Sequence, residues 1–102
     1  MKQPKFTIRL LQAAEEDFKE IITYIAIDKP PAADAVADRI ESRLSNLSTY
    51  PFMGKIPKEE ELVNMGYRFL IVQDCLVFYT IEDRIIWVHR IVHGARDYLS
   101  LL

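Results

Sequence analysis

Between Tyr67 and Val92 three runs rich in β-branched and aromatic residues follow one another with almost no chain between them. Tyr67–Gln73 and Cys75–Ile81 are separated by Asp74 alone, so only a tight antiparallel turn can join them. Glu82-Asp83 then turns the chain into Arg84–Val92. The runs therefore constrain this third of the chain to an antiparallel meander. In the last run Ile85, Trp87, His89, Ile91 and His93 alternate with Ile86, Val88, Arg90 and Val92. Both sets are mostly apolar, so neither sheet face should be freely solvated along its length. One face is expected to be covered by the rest of the chain. The other is expected to stay partly open, which on a small protein points to a partner.

The covering elements are legible upstream. Lys5–Leu10 alternates Phe6, Ile8 and Leu10 against Lys5, Thr7 and Arg9, the pattern of a strand with one buried face. From Gln12 the period changes, and Ala14, Phe18, Ile21, Ile22 and Ile25 make one helical stripe. Glu15, Glu16, Asp17, Lys19 and Glu20 are read as lying largely off it, with acids in the first turn where the helix dipole favours them. Pro30-Pro31 stops this helix, and Pro31 can open the next, where a missing N–H costs nothing. Ala33, Val36, Ala37, Ile40, Leu44 and Leu47 give a second stripe that ends near Ser48–Pro51. Pro51–Gly66 is a long irregular stretch, with a turn of helix expected at Glu59–Met65. The predicted class is α+β in the order β-α-α-β-β-β: a helical hairpin packed on one face of an antiparallel sheet, a single domain over residues 1–102.

Composition narrows the function classes. The chain is 50% apolar and 27% charged, ordinary for a globular protein. Its longest apolar run is far short of the ~20 residues of a membrane span, and the N-terminus lacks the apolar core of a signal peptide. One cysteine, Cys75, can form no internal disulfide. A cytoplasmic protein with no membrane association is expected. The net charge, 13 − 15 = −2, argues against a surface that embraces RNA through many phosphate contacts. Two histidines and one cysteine do not make a zinc site, and no cofactor or metal is implied.

The order of these segments, with Ala14 and Asp17 opening the first helix, Leu47, Pro51 and Gly54 after the second, and GYRFLIV, CLVFYTI and IIWVHRIVHGARD at the end, resembles the RelE/ParE superfamily. These are toxins of bacterial type II toxin–antitoxin modules. RelE-like members are metal-independent endoribonucleases acting on messenger RNA at the ribosome, whereas ParE-like members poison DNA gyrase. Both are neutralised by a cognate antitoxin that wraps them. RelE-like nucleases place an arginine three residues before the tyrosine of the middle meander strand, and a basic residue two after Arg68. Here those positions are Leu76 and Leu70. The stretch HRIVHGARDY looks more like ParE-type plasmid-stabilisation toxins. The resemblance thus implies a ParE-like toxin that binds its target, with a ribosome-dependent endoribonuclease as the alternative.

Candidate site residues follow from the chemistry. Metal-free RNA cleavage needs a base, a cation to steady the phosphorane and an acid for the leaving oxygen. Arg68 and Arg96 could clamp phosphate if they flank one sheet end, and His93 could move protons, so these three are the catalytic candidates of the alternative reading. Arg90, Arg96 and Tyr98 are the candidate target-binding residues. Arg90 and Arg96 each have a structural competitor: pairing with an acid on a neighbouring element for Arg90, and a salt bridge to Asp97 or a helix acid for Arg96. His89 reads as a packed, hydrogen-bonded histidine, and Tyr79 as a core aromatic. Lys55 and Lys58 stand beside Glu59-Glu60-Glu61, which blunts their field.

Overall fold

A computed structural model describes residues 5–94 and 98–102. The elements run β1 (Thr7–Leu10), α1 (Gln12–Asp28), α2 (Pro30–Thr49), α3 (Glu60–Asn64), β2 (Arg68–Val72), β3 (Cys75–Glu82) and β4 (Ile85–His93), then a 3-10 turn at Tyr98–Leu101. The sheet order is β1-β4-β3-β2. The meander is antiparallel throughout. β1, however, joins β4 in parallel, so the sheet is mixed rather than wholly antiparallel. No tight turn joins those two strands; the helical hairpin and two strands intervene, and the sequence carries no short-range signal for their relative direction.

The β3–β4 turn falls one residue later than the sequence suggests. Asp83 and Arg84 occupy it with φ 51 and 62. Two consecutive positive φ values are the mark of a type I′ hairpin, whose twist matches that of its strands. A bulge then interrupts β3–β4: Phe78 pairs with Arg90 and Tyr79 with Val88, leaving His89 as the extra residue. The simple alternation expected along β4 therefore fails at its centre. Ile86 and Val88 face the helices, and so does Ile91, three residues on.

Lys29 alone links α1 and α2. Pro30 and Pro31 both lie inside the first turn of α2, where their missing N–H groups would have had no partner. Ala32 and Ala33 donate to the Lys29 carbonyl instead. The hairpin lays Ala14, Ile21, Ile40, Leu44 and Leu47 against Leu70, Val72, Cys75, Val77, Tyr79, Ile86, Val88 and Ile91. Most of the expected stripe residues lie in or against this core; Ile22 and Ala37 are only half-buried, and Asp17, 9% exposed, belongs to the buried face of α1.

The second sheet face is less open than the sequence suggests. Leu62 of α3, Tyr67, Phe78 and Val92 form a smaller core there, with Phe69, Leu76, Tyr98, Leu101 and Leu102 packed against it. The chain itself covers part of this face, with α3 and its C-terminal turn.

Candidate functional site

β1 ends at Leu10, opposite Val88, while β4 continues to His93. Beyond Val88 the outer edge of β4 therefore has no strand beside it. α1 fills that place. The Leu11 N–H still bonds the Val88 carbonyl at 2.9 Å, and the chain then turns into the helix. One turn on, Asp17 Oδ2 accepts the Ile91 N–H at 2.9 Å, so a carboxylate stands where a strand carbonyl would. The same carboxylate takes a two-pronged bond from Arg90, with Nε at 2.7 Å and Nη2 at 2.8 Å. Arg90 Nη1 also donates to the Leu101 carbonyl at 3.2 Å, tying the C-terminal turn to the sheet. The bond to Asp17 raises the Arg90 pKa despite its partial burial, and the charges of Asp17, Glu20 and Glu16 add to the effect.

Around this ion pair runs a half-open groove of about 450 Å³, walled by Glu20, Ile21 and Tyr24 of α1, Ile91 and His93 of β4, and Leu101. Tyr24 and His93 face each other with ring centroids 6.3 Å apart. Tyr24 is 70% exposed and Ile27, further along α1, 81%. The groove combines the carboxylates of Asp17 and Glu20 with the apolar side chains of Ile21, Ile91 and Leu101.

The sequence-derived candidates fall at separate places. Arg90 forms the salt bridge that was its competing structural reading, and it lines the groove. His93 lies at the groove's end. Arg68 opens β2 opposite Tyr79, whereas His93 closes β4 opposite Cys75. These positions are four steps apart along β3, about 13 Å. Arg68 and the exit of β4 therefore lie at opposite sheet ends. Arg96, expected to flank the same sheet end as Arg68, lies outside the described residues. Tyr98 packs inward, its ring 4.9 Å from that of Phe78 and its hydroxyl donating to Glu59 Oε2 at 2.5 Å. That bond holds the Glu59 pKa below the usual carboxylate range and raises that of Tyr98.

His89 is packed. Its Nδ1 meets the Tyr67 hydroxyl at 3.2 Å and its Nε2 the Thr80 hydroxyl at 2.9 Å, and burial lowers its pKa. Tyr79 is fully buried; its hydroxyl donates to the Pro51 carbonyl at 2.8 Å and accepts from the Gly54 N–H at 2.9 Å. Burial raises the Cys75 thiol pKa, which disfavours the thiolate. Among the described residues no group of three or more His, Cys, Asp or Glu side chains could hold a metal. No helix among them is long and apolar enough to cross a membrane. Asp17 is the residue that sequence reading missed. The signal was its place three residues after Ala14 and four before Ile21, on the buried stripe.

A strand, a helical hairpin and a three-strand meander in a mixed four-strand sheet define the RelE/ParE-like class of fold. Residues 8–98 match the family model described as the ParE toxin of the type II toxin–antitoxin system parDE, and the chain belongs to that family. Two solved structures share the fold. The chromosomal ParDE toxin–antitoxin system of P. aeruginosa superposes with a TM-score of 0.73 at 14% identity, over 89% of this chain and 98% of that one. The RelBE2 toxin–antitoxin complex of Mycobacterium tuberculosis gives 0.62 at 21% identity, over 93% and 98%. No curated protein matches the chain significantly.

Proposed function

We propose that this ParE-family toxin arrests growth by binding DNA gyrase, that it does not cut RNA, and that a cognate antitoxin neutralises it. The observation that carries this reading is the fate of two positions where RelE-like nucleases place cations. Both are leucines packed into apolar cores: Leu70 is 2% exposed on the helix side, and Leu76 packs into the cluster on the other face. A missing charge-stabilising donor costs an active site about 10²–10³ in rate. The separation of Arg68 from His93 argues the same way. The groove between α1 and β4 suits an antitoxin segment with apolar anchors and a basic residue, because among the described residues Glu16, Asp17 and Glu20 outnumber the Arg90 guanidinium they surround.

The test pairs a gyrase supercoiling assay with mapping of cut ends on ribosome-bound messenger RNA, for wild type and Arg96→Ala. Supercoiling inhibited with RNA intact is the expected result. Ribosomal cuts that vanish in Arg96→Ala would overturn the assignment.

A further inference from the structure

We infer that the loop Tyr50–Ile56 is a preorganised docking surface for the toxin's target, a protein face with an apolar centre and carboxylates at its rim, separate from the antitoxin groove. The inference rests on the toxin reading above. Its basis is an inverted burial pattern. Pro51, Gly54 and Pro57 are buried, whereas Tyr50, Phe52 and Ile56 are 65%, 63% and 60% exposed, and Met53 is 37%. Folding leaves these large apolar groups in water.

The loop is also held in that orientation. The Tyr79 hydroxyl ties the Pro51 carbonyl and the Gly54 N–H from beneath. Arg68 Nη1 donates to the carbonyls of Phe52 at 3.2 Å and Gly54 at 3.1 Å. Lys55 exchanges two backbone bonds with Phe69, at 2.8 and 2.9 Å, along the outer edge of β2. Gly54 lies so close to the Tyr79 ring that a Cβ there would overlap it. The backbone is thus fixed inward and its side chains outward. A partner would bind without first ordering the loop, and rigid aromatic and aliphatic anchors beside arginine are what energetic hot spots are made of.

Charge chooses between occupants. The guanidinium of Arg68 lies 5.2 Å from the Phe52 ring centroid, and the Lys55 side chain is exposed within the loop. Glu59, the nearest acid in sequence, takes the Tyr98 hydroxyl and stays charged, with Glu60 and Glu61 following beyond Pro57. Within Tyr50–Ile56 and the Arg68 that holds it, the charged side chains are both cations, in a chain of net charge −2. The α1–β4 groove has the opposite sign, and β3 separates β4 from β2. Two surfaces of opposite charge on different sheet edges suit two different partners.

The experiment compares wild type with the double variant Phe52→Ser/Ile56→Ser and, independently, with Lys55→Glu. Growth arrest is measured on induction in a bacterial host. Binding to the small protein encoded beside the toxin gene is measured with purified components. The thermal midpoint of each variant is recorded. Expected are growth arrest lost in the double variant and weakened at least tenfold in Lys55→Glu, antitoxin affinity within about twofold of wild type, and unchanged midpoints. If the double variant unfolds, Lys55→Glu decides by the same criteria. Variants that arrest growth like wild type overturn this inference alone. Arrest and antitoxin affinity lost together at unchanged midpoints would assign the loop to the antitoxin, and a wild-type dimer made monomeric by the double variant would assign it to a second copy. Either result overturns the inference. A wild type that never arrests growth overturns the toxin reading itself.

Discussion

Asp17 closes an open strand edge, holds a guanidinium and lines a groove with one carboxylate. Removing one partner of such a pair strands the other, which costs about 3–5 kcal/mol when fully buried. Side-chain exposures of 25% for Arg90 and 11% for Asp17 lower that figure. Asp17→Ala is expected to destabilise by about 2–4 kcal/mol in chemical denaturation, and Asp17→Asn by less, because it keeps an oxygen for the Ile91 N–H. His89 makes a prediction about pH. Burial lowers its folded pKa, so the unfolded chain binds the proton more tightly. The contribution of neutral His89 is full above the unfolded value near 6.5 and is lost as pH falls through the folded one. Unfolding measured as a function of pH should show this loss in wild type and not in His89→Gln.

Elements are held by the same logic at larger spacing. Tyr79 stands in a core strand but organises a loop, because its hydroxyl serves two backbone groups of that loop. Tyr79→Phe leaves the Pro51 carbonyl and the Gly54 N–H without it and is expected to cost about 1–3 kcal/mol. Protease cleavage within Tyr50–Ile56 should rise more than cleavage elsewhere. In the hairpin, Ile40→Ala or Leu44→Ala should cost about 2–5 kcal/mol, while Glu15→Ala on the solvent side should change stability by less than about 0.5 kcal/mol. Equal small effects at all three would contradict the packing of α2 on the sheet.

At the scale of the molecule, the free toxin presents an acidic groove at one sheet edge and a cationic apolar loop at the other. A partner that binds only the folded state stabilises it by about 2.7 kcal/mol at a hundred times its Kd. In a domain of this size 1 kcal/mol moves the midpoint by about 4–8 °C. Adding the cognate antitoxin should therefore raise the thermal midpoint by about 10–20 °C. A Tyr24→Asp variant should lose most of that rise, since it adds a further acid to the groove and removes an aromatic wall.

Local patterns determined the elements. The apolar stripes from Ala14 to Ile25 and Ala33 to Leu47, the stop at Pro30-Pro31 and the meander turns could be read because each depends on residues a few positions apart. The position of Leu70 and Leu76 relative to Arg68 and Tyr79 was equally visible, and it carried the functional reading before any fold was known. Only the tertiary structure decided the parallel placement of β1 on β4, the bulge that leaves His89 unpaired, and the meeting of Asp17 with Arg90 across 73 residues of chain. It also decided that Arg68 and His93 part company and that the C-terminal turn folds back over the second sheet face. The physical reason is range. Periodicity and turn chemistry act between neighbours, whereas strand direction, bulge position and ion pairing depend on which distant surfaces burial brings together.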